Sequence, residues 1–318
     1  MNAIIKSIGV YLPEFIATND ALKEEHGLDT TDEWIKSHSG IAERRIVKDA
    51  NLLTSDIGYL AAKKAIENAG ISPSEIDGII AGSMTPDKQF PALACYIQAK
   101  LGCANSFAFD ITAACGFIPP ALNTAALMIR AGQAKNILVI GAEICSRIMD
   151  WSDRNTCILF GDGAAAILLS VCEDSNRGFI AAALASDGNL ANILYLNALG
   201  AEGSFLRMEG TAVYKLAVSE LEAITKKALE SAGLSVADID LFVPHQANIR
   251  IIKSVGKRLG LAEEKVVANV EKYGNTSSAS IPIALHEAQQ KGILKPGMLV
   301  AMPAIGGGMN WGCILFRW

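Results

Sequence analysis

Cys115 stands in Asp110-Ile111-Thr112-Ala113-Ala114-Cys115-Gly116, between a short apolar run, Phe107 to Ile111, and an alanine-rich helical pattern from about Pro120 to Arg130. A thiol at a helix start meets unpaired N–H groups and the positive end of the helix dipole, which favour the nucleophilic thiolate. Taken alone, it reads as readily as a small buried hydrophobe, the common fate of a free cysteine. His245 ends an apolar run in Val243-Pro244-His245-Gln246-Ala247-Asn248, and Asn275 lies in Gly274-Asn275-Thr276-Ser277-Ser278. Ring and amide N–H groups can hold an oxyanion, but a lone histidine is more often a hydrogen-bonded core residue, and the asparagine stretch also reads as a turn. Ala304-Ile305-Gly306-Gly307-Gly308 is either a tight bend or a place where backbone N–H groups reach an oxyanion unobstructed.

The elements around these residues follow a repeated order. Ala3 to Val10 reads as a strand, Thr30 to Ile35 as a capped helix start, and Leu53 to Ala69 as a helix closed by Gly70. Ile76 to Gly82 reads as a strand, Pro91 to Leu101 as a helix closed by Gly102, Asn136 to Gly141 and Ala164 to Leu169 as strands. Lys63 to Ser72 (KKAIENAGIS) recurs as Lys226 to Ser235 (KKALESAGLS), followed by Ile76-Asp77 and Ile239-Asp240 at the same offset. Leu259-Gly260 then matches Leu101-Gly102, Lys265 to Val270 matches the strand before Cys115, and Pro296 to Ala301 matches Lys135 to Gly141. This is duplication of a strand–helix unit, which predicts mostly parallel sheets covered by helices, with ligands beyond the strand ends. Cys115 and Asn275 fall in equivalent loops and His245 also follows a strand, so a pseudo-twofold packing would bring the three together. That convergence promotes Cys115 to nucleophile.

Composition narrows the class. The 318 residues are 51% apolar and 19% charged, with a net charge of −5. A large core is expected, and general nucleic-acid binding is disfavoured. No apolar run reaches the roughly eighteen residues of a membrane span, and the N-terminus enters a strand with no signal-peptide pattern. Seven cysteines without ligand spacing predict free thiols in a reducing cytoplasm and no metal site. Dinucleotide, P-loop, zinc-protease and nucleophile-elbow fingerprints are missing, so no cofactor is expected.

Longer motifs carry a resemblance. Thr31-Asp32-Glu33-Trp34-Ile35, Gly40 to Arg45, Phe109 to Cys115, Phe160 to Ala164, Pro244 to Asn248, Gly274 to Ser280, Gly306-Gly307-Gly308 and Trp311-Gly312 run through almost the whole chain. Together and in this order, the chain resembles the thiolase-fold condensing enzymes, most closely the β-ketoacyl-[acyl carrier protein] synthase III family. The resemblance implies an α/β fold of two duplicated halves, residues 1–172 and 173–318, in five α-β-α-β-α layers. It implies that Cys115 takes an acyl group from acyl-CoA and that malonyl-[acyl carrier protein] then loses carbon dioxide and attacks the thioester, the first condensation of fatty acid biosynthesis. His245 and Asn275 would hold the malonyl thioester oxygen, and the backbone N–H groups of Cys115 and Gly307 the oxyanion. Thr30, Trp34, Arg154 and Asn248 would bind CoA, with adenine between the indole and the guanidinium. Met84, Phe90, Leu159 and Leu206 would shape the acyl pocket, Phe90 closing that of a partner subunit in a homodimer. Lys215, Arg250, Lys257 and Arg258 would meet the acidic carrier protein.

Departures from the family pattern are Gly116-Phe117-Ile118-Pro119-Pro120, Ile305, Met309-Asn310 and His38. All but His38 lie near the expected site and bear on acyl specificity. The double proline predicts an irregular turn from Gly116 to Pro119, a helix starting near Pro120, and a Cys115 pKa closer to that of an ordinary thiol. A relative acting on a different acceptor is the alternative function. A non-catalytic scaffold subunit ranks below it, because such subunits tend to lose the cysteine.

Overall fold

The computed structural model describes residues 1–174, 176–197 and 204–318. The first part of the chain runs through β1 (Asn2–Tyr11), β2 (Ile16–Thr18), α1 (Asn19–His26), α2 (Asp32–Ser39), β3 (Glu43–Arg45), α3 (Thr54–Ala69) and β4 (Gly78–Gly82). It continues with α4 (Leu93–Leu101), β5 (Phe107–Asp110), α5 (Ile118–Arg130), β6 (Asn136–Glu143) and β7 (Gly163–Cys172). Then come β8 (Gly178–Ser186), β9 (Leu194–Leu196), β10 (Leu206–Met208), α6 (Gly210–Ser231), β11 (Leu241–Phe242) and α7 (Ile249–Leu259). The chain ends with α8 (Val270–Tyr273), α9 (Ser280–Gln290), β12 (Leu299–Gly306) and β13 (Asn310–Arg317).

Two sheets dominate, ordered β1-β7-β6-β4-β5 and β11-β12-β13-β8. Both are mixed, contrary to the mostly parallel expectation. Only β4 with β5, β4 with β6, and β11 with β12 run parallel; β1, β7, β8 and β13 join antiparallel. The antiparallel strands come from direct returns such as β12 to β13, where Gly306-Gly307-Gly308 leaves no room for a crossover helix.

Strand alternation builds five layers. In β4 and β6, Ile79, Ala81, Leu138 and Ile140 pack on α3 and α4, while Ile80, Ile137 and Val139 pack inward on α5 and α9. In β12, Val300, Met302 and Ala304 face that same inner layer, and Leu299 and Ala301 pack on α6 and α7. Sheets buried on both faces read as continuous apolar runs.

The sequence repeat is realised in local geometry. After α3 and α6, Gly70 and Gly233 turn the chain in the left-handed region, at φ of 68° each. Capping boxes follow: Ser72 N–H donates to Glu75, and Ser235 N–H to Asp238, both at 2.7 Å. Asp77 and Asp240 then accept from the first backbone N–H groups of β6 and β12.

Two local expectations need correction. Lys265 to Val270 forms no strand beyond a single bridge from Val266 to Phe242. The Gln246 side chain donates to Val267 O and accepts from Asn269 N, so the backbone groups a longer ladder would use are occupied. The double proline does not delay its helix. Phe117 already has helical φ and ψ of −59° and −42°, α5 starts at Ile118, and Pro119 and Pro120 fill its first turn. Those N–H groups have no intrahelical acceptor, so their loss is tolerated.

β1 lies directly on α3. A Cβ at Gly9 would fall 2.1 Å from Ala61 O and 2.3 Å from Ala65 N. Gly9→Ala should destabilise the protein by about 1–3 kcal/mol in denaturant unfolding. Gly188→Ala, where a Cβ meets nothing within 4 Å, should change it by less than about 0.5 kcal/mol. Equal effects would contradict this packing.

Candidate active site

Cys115 sits in a 3-10 turn, Ala114–Gly116, that leads without a break into α5. Ala114 holds a left-handed φ of 46°. Ser277, which opens the corresponding turn Ser277–Ala279 before α9, holds 48°. The two turns meet, and Cys115 Sγ lies 3.2 Å from Ser277 Oγ. Asn275 follows the short helix α8, not a strand as its repeat equivalent suggested. Its backbone is fixed by Asn275 N–H to Leu159 O at 2.8 Å and by Gly161 N–H to Asn275 O at 3.1 Å. His245 follows β11, and its N–H donates to Pro303 O of β12 at 2.9 Å.

The hydrogen bonds orient both nitrogen donors. Asn275 Oδ1 accepts from Ser277 N–H at 2.8 Å, which leaves the Nδ2 hydrogens for the cavity. His245 Nδ1 is 2.6 Å from Ser280 Oγ, which also receives Gln246 N–H at 3.4 Å. The contact serves either tautomer; donation from the Ser280 hydroxyl to Nδ1 is the arrangement that leaves the ring's own proton on Nε2. Burial depresses the His245 pKa to about 4, so the ring is neutral at neutral pH.

Burial pushes the Cys115 thiol up to about 12, although Ser277 and Asn275 favour the thiolate by hydrogen bonding. The expected near-ordinary thiol pKa is overshot. Helix α5 begins close to Cys115 after all, so distance from the dipole is not the cause; loss of water is.

Cys115, His245 and Asn275 open onto one cavity of about 580 Å³. Trp34, Met84, Leu159, Leu206, Asn248, Arg250, Ile305 and Met309 line it too. Thr31 Oγ1 caps α2 by accepting from Trp34 N–H at 3.1 Å, placing the indole at the cavity mouth. Arg154 lies 5.1 Å from the Trp34 ring centre and is tied to Asp29, while His38 stacks on Trp34 at 4.1 Å. Asn248 caps α7 and donates to His38 O at 3.0 Å.

Other expected site residues stand outside the lining. Thr30 is buried, its hydroxyl without a hydrogen-bond partner among the described residues. Phe90 is 83% exposed and does not line the cavity of its own chain. Lys215 and Lys257 are exposed outside it, whereas Arg250, also exposed, does line the cavity; Arg258 is paired with Glu222 at 3.1 Å. Gly307 is adjacent to Gly306, where a Cβ would fall 2.4 Å from Gly116 N and 2.8 Å from Cys115 N. Sequence reasoning assigned no role to Ser277, Ser280 or Glu143. The two serines lie inside a recognisable motif, whereas nothing local marks Glu143.

Fold and site together define a thiolase-like acyltransferase. The model of the 3-oxoacyl-[acyl-carrier-protein] synthase III C-terminal region matches residues 229–318, and that of the synthase III itself residues 109–188. A β-ketoacyl-[acyl-carrier-protein] synthase III of Ruegeria pomeroyi is 47% identical over 99% of both chains. The crystal structure of the Aquifex aeolicus 3-oxoacyl-[acyl-carrier-protein] synthase III superposes with a TM-score of 0.94 at 44% identity, covering 99% of this chain and 100% of that one. The Pseudomonas aeruginosa enzyme superposes equally well, at 0.94 and 36% identity, covering 100% and 98%. The chain belongs to the 3-oxoacyl-[acyl-carrier-protein] synthase III family.

With a thiol pKa of about 12, the thiolate fraction rises about tenfold per pH unit through neutral and alkaline pH. Iodoacetamide alkylation of Cys115 should follow that slope, with no inflection near 6.5 because His245 is already neutral there. A plateau at or below the ordinary thiol value of 9.0 would contradict it.

Proposed function

We propose that this enzyme joins an acyl-CoA primer to malonyl-[acyl carrier protein], releasing CoA and carbon dioxide and giving 3-oxoacyl-[acyl carrier protein], the step that initiates fatty acid biosynthesis. The observation that carries this reading is the convergence of Cys115 with two pre-oriented N–H donors, His245 Nε2 and Asn275 Nδ2, on one cavity.

The steps follow from these groups. Cys115 Sγ gives up its proton and attacks the acyl-CoA carbonyl; the backbone N–H groups of Cys115 and Gly307 hold the oxyanion. CoA leaves as the thiol, and the acyl group stays on sulfur. Malonyl-[acyl carrier protein] then places its thioester oxygen against His245 and Asn275. Loss of carbon dioxide puts an electron pair into the enolate, which attacks the acyl-enzyme carbonyl; the C–S bond to Cys115 breaks, and the released sulfur takes a proton from solvent to return the thiol. Each preorganised donor lowers such a barrier by on the order of 3 kcal/mol. A neutral imidazole with its proton on Nε2 donates one hydrogen bond to that oxygen.

The remaining assignments are part of the same proposal. Trp34 and Arg154, a flat indole near a guanidinium plane, would bracket adenine, with Asn248 and Thr30 nearby on the CoA path. Met84, Leu159 and Leu206 form apolar cavity wall for the primer. Phe90, exposed at 83%, suits a homodimer in which it closes the partner's pocket. Lys215, Arg250 and Lys257 form no ion pair among the described residues and offer positive charge to an acidic carrier protein, Arg250 lying 5.6 Å from the Tyr214 ring centre; Arg258 shares its charge with Glu222. The enzyme needs no further cofactor in this scheme and works in the cytoplasm. Among the described residues no helix is long and apolar enough to cross a membrane.

Mass spectrometry of the intact protein after exposure to a panel of acyl-CoAs tests the first step. The acyl mass shift should vanish in Cys115→Ala and persist in Cys95→Ala; persistence in Cys115→Ala would refute the mechanism. Arg250→Glu should slow turnover with carrier-bound malonate while sparing acyl loading, and the loss should shrink with added salt. Equal loss of both steps would remove Arg250 from carrier docking.

A further inference from the structure

Glu143, the last residue of β6, is completely buried. Among the described residues it forms no ion pair; every partner is neutral. Its Oε2 accepts from Met84 N–H at 2.9 Å and lies 3.2 Å and 3.3 Å from the Ser83 and Thr85 hydroxyls. Those hydroxyls in turn accept from Thr85 N–H and Ile144 N–H, so both point their protons away from those donors. The two hydroxyls also lie 3.3 Å from each other, so Oε2 receives Met84 N–H and at least one of their protons.

The other oxygen is different. Oε1 lies 2.8 Å from Ser278 Oγ, and Ser278 Oγ lies 3.1 Å from Gly82 O. A backbone carbonyl only accepts, and a hydroxyl owns one proton. With an ionised carboxylate, one of these two short contacts would have no proton in it. With a proton on Oε1, the carboxyl donates to Ser278, Ser278 donates to Gly82, and both contacts become hydrogen bonds. We infer that Glu143 is an un-ionised carboxylic acid at neutral pH and is a positioning residue, tying the Met84 wall of the cavity to the turn that carries Ser277 and Ser278. Enclosure without a counter-ion raises its pKa, although hydrogen bonds from Ser278, Met84 N–H, Ser277 and Ser83 pull the other way.

The titratable groups facing it are the thiols of Cys115, from the turn before α5, and Cys145, just past β6. An ionised Glu143 would repel a Cys115 thiolate through a medium with little screening. A neutral Glu143 keeps the same hydrogen-bonded frame without opposing the anions of the reaction. This consequence rests on Cys115 being the acyl-carrying thiol; the protonation state does not.

Isotope-edited infrared spectroscopy of the full chain, with glutamate carrying ¹³C at the side-chain carboxyl, tests the inference at neutral pH. One isotope-shifted band of an un-ionised carboxylic acid should appear, and it should be missing from Glu143→Gln. Labelling glutamate keeps Asp162, raised by burial to about 6, out of that band. A wild-type spectrum with ionised glutamate alone would overturn the proposal without any variant having to fold. In folded Glu143→Gln the amide offers the same donor and acceptor, so Cys115 alkylation at neutral pH should stay within about threefold of wild type. Glu143→Ala, which loses both, should alter it by about tenfold or more. A tenfold change in the Gln variant would overturn the positioning role. The acyl mass shift of the wild type and its loss in Cys115→Ala report separately on the thiol's function.

Discussion

Backbone lying directly against backbone, where the two sheets end, holds the site together. A Cβ on Gly306 would fall 2.4 Å from Gly116 N and 2.5 Å from Ala113 O. The first sheet repeats the contact, with Gly141 against Ser278 O at 2.4 Å and Ala279 N at 2.9 Å. Each glycine lets a strand end press on the turn opening a helix of the middle layer. Each pressed turn begins with a residue in the left-handed region, Ala114 or Ser277, at a cost on the order of 1 kcal/mol. The surrounding layers offset that cost, and the result is that the thiol and the Ser277 hydroxyl face each other across the middle of the molecule.

The same tight enclosure governs the charges. The groups lining the reaction centre are neutral at rest: Cys115 is held as thiol and His245 as neutral ring, both because burial disfavours ions. Anionic charge enters only with the reaction, where oriented N–H groups await it. Donors fixed in advance need no reorganisation at that moment, which is where most of their catalytic value lies.

Arg44 is the exception, a completely buried cation beneath the cavity wall. Its guanidinium donates to Asn19 Oδ1 at 2.7 Å and to Ile158 O at 2.6 Å, and burial lowers its pKa to about 10. It thereby braces the turn that holds Leu159, whose carbonyl receives Asn275 N–H. A charge kept away from the reacting atoms serves here as a rigid multi-donor anchor.

Much of this was legible in the residues alone. The capped helix start at Thr31, the glycine closures at Gly70 and Gly102, and the repeated segments ending at Ser72 and Ser235 depend on groups within a few residues of one another. Short-range sterics and hydrogen bonding decide such features, so the sequence by itself determined them, along with the duplicated unit and the three site motifs. It misplaced the start of α5 because helix tolerance of Pro119 and Pro120 depends on the turn already formed at Cys115. It missed the antiparallel strands because pairing direction depends on which distant strands meet. The protonation of Cys115, His245 and Glu143 was decided by tertiary structure alone. Desolvation belongs to the whole enclosure, and the partners that complete it, such as Ser278 for Glu143 across 135 positions, are brought together only by the packed layers.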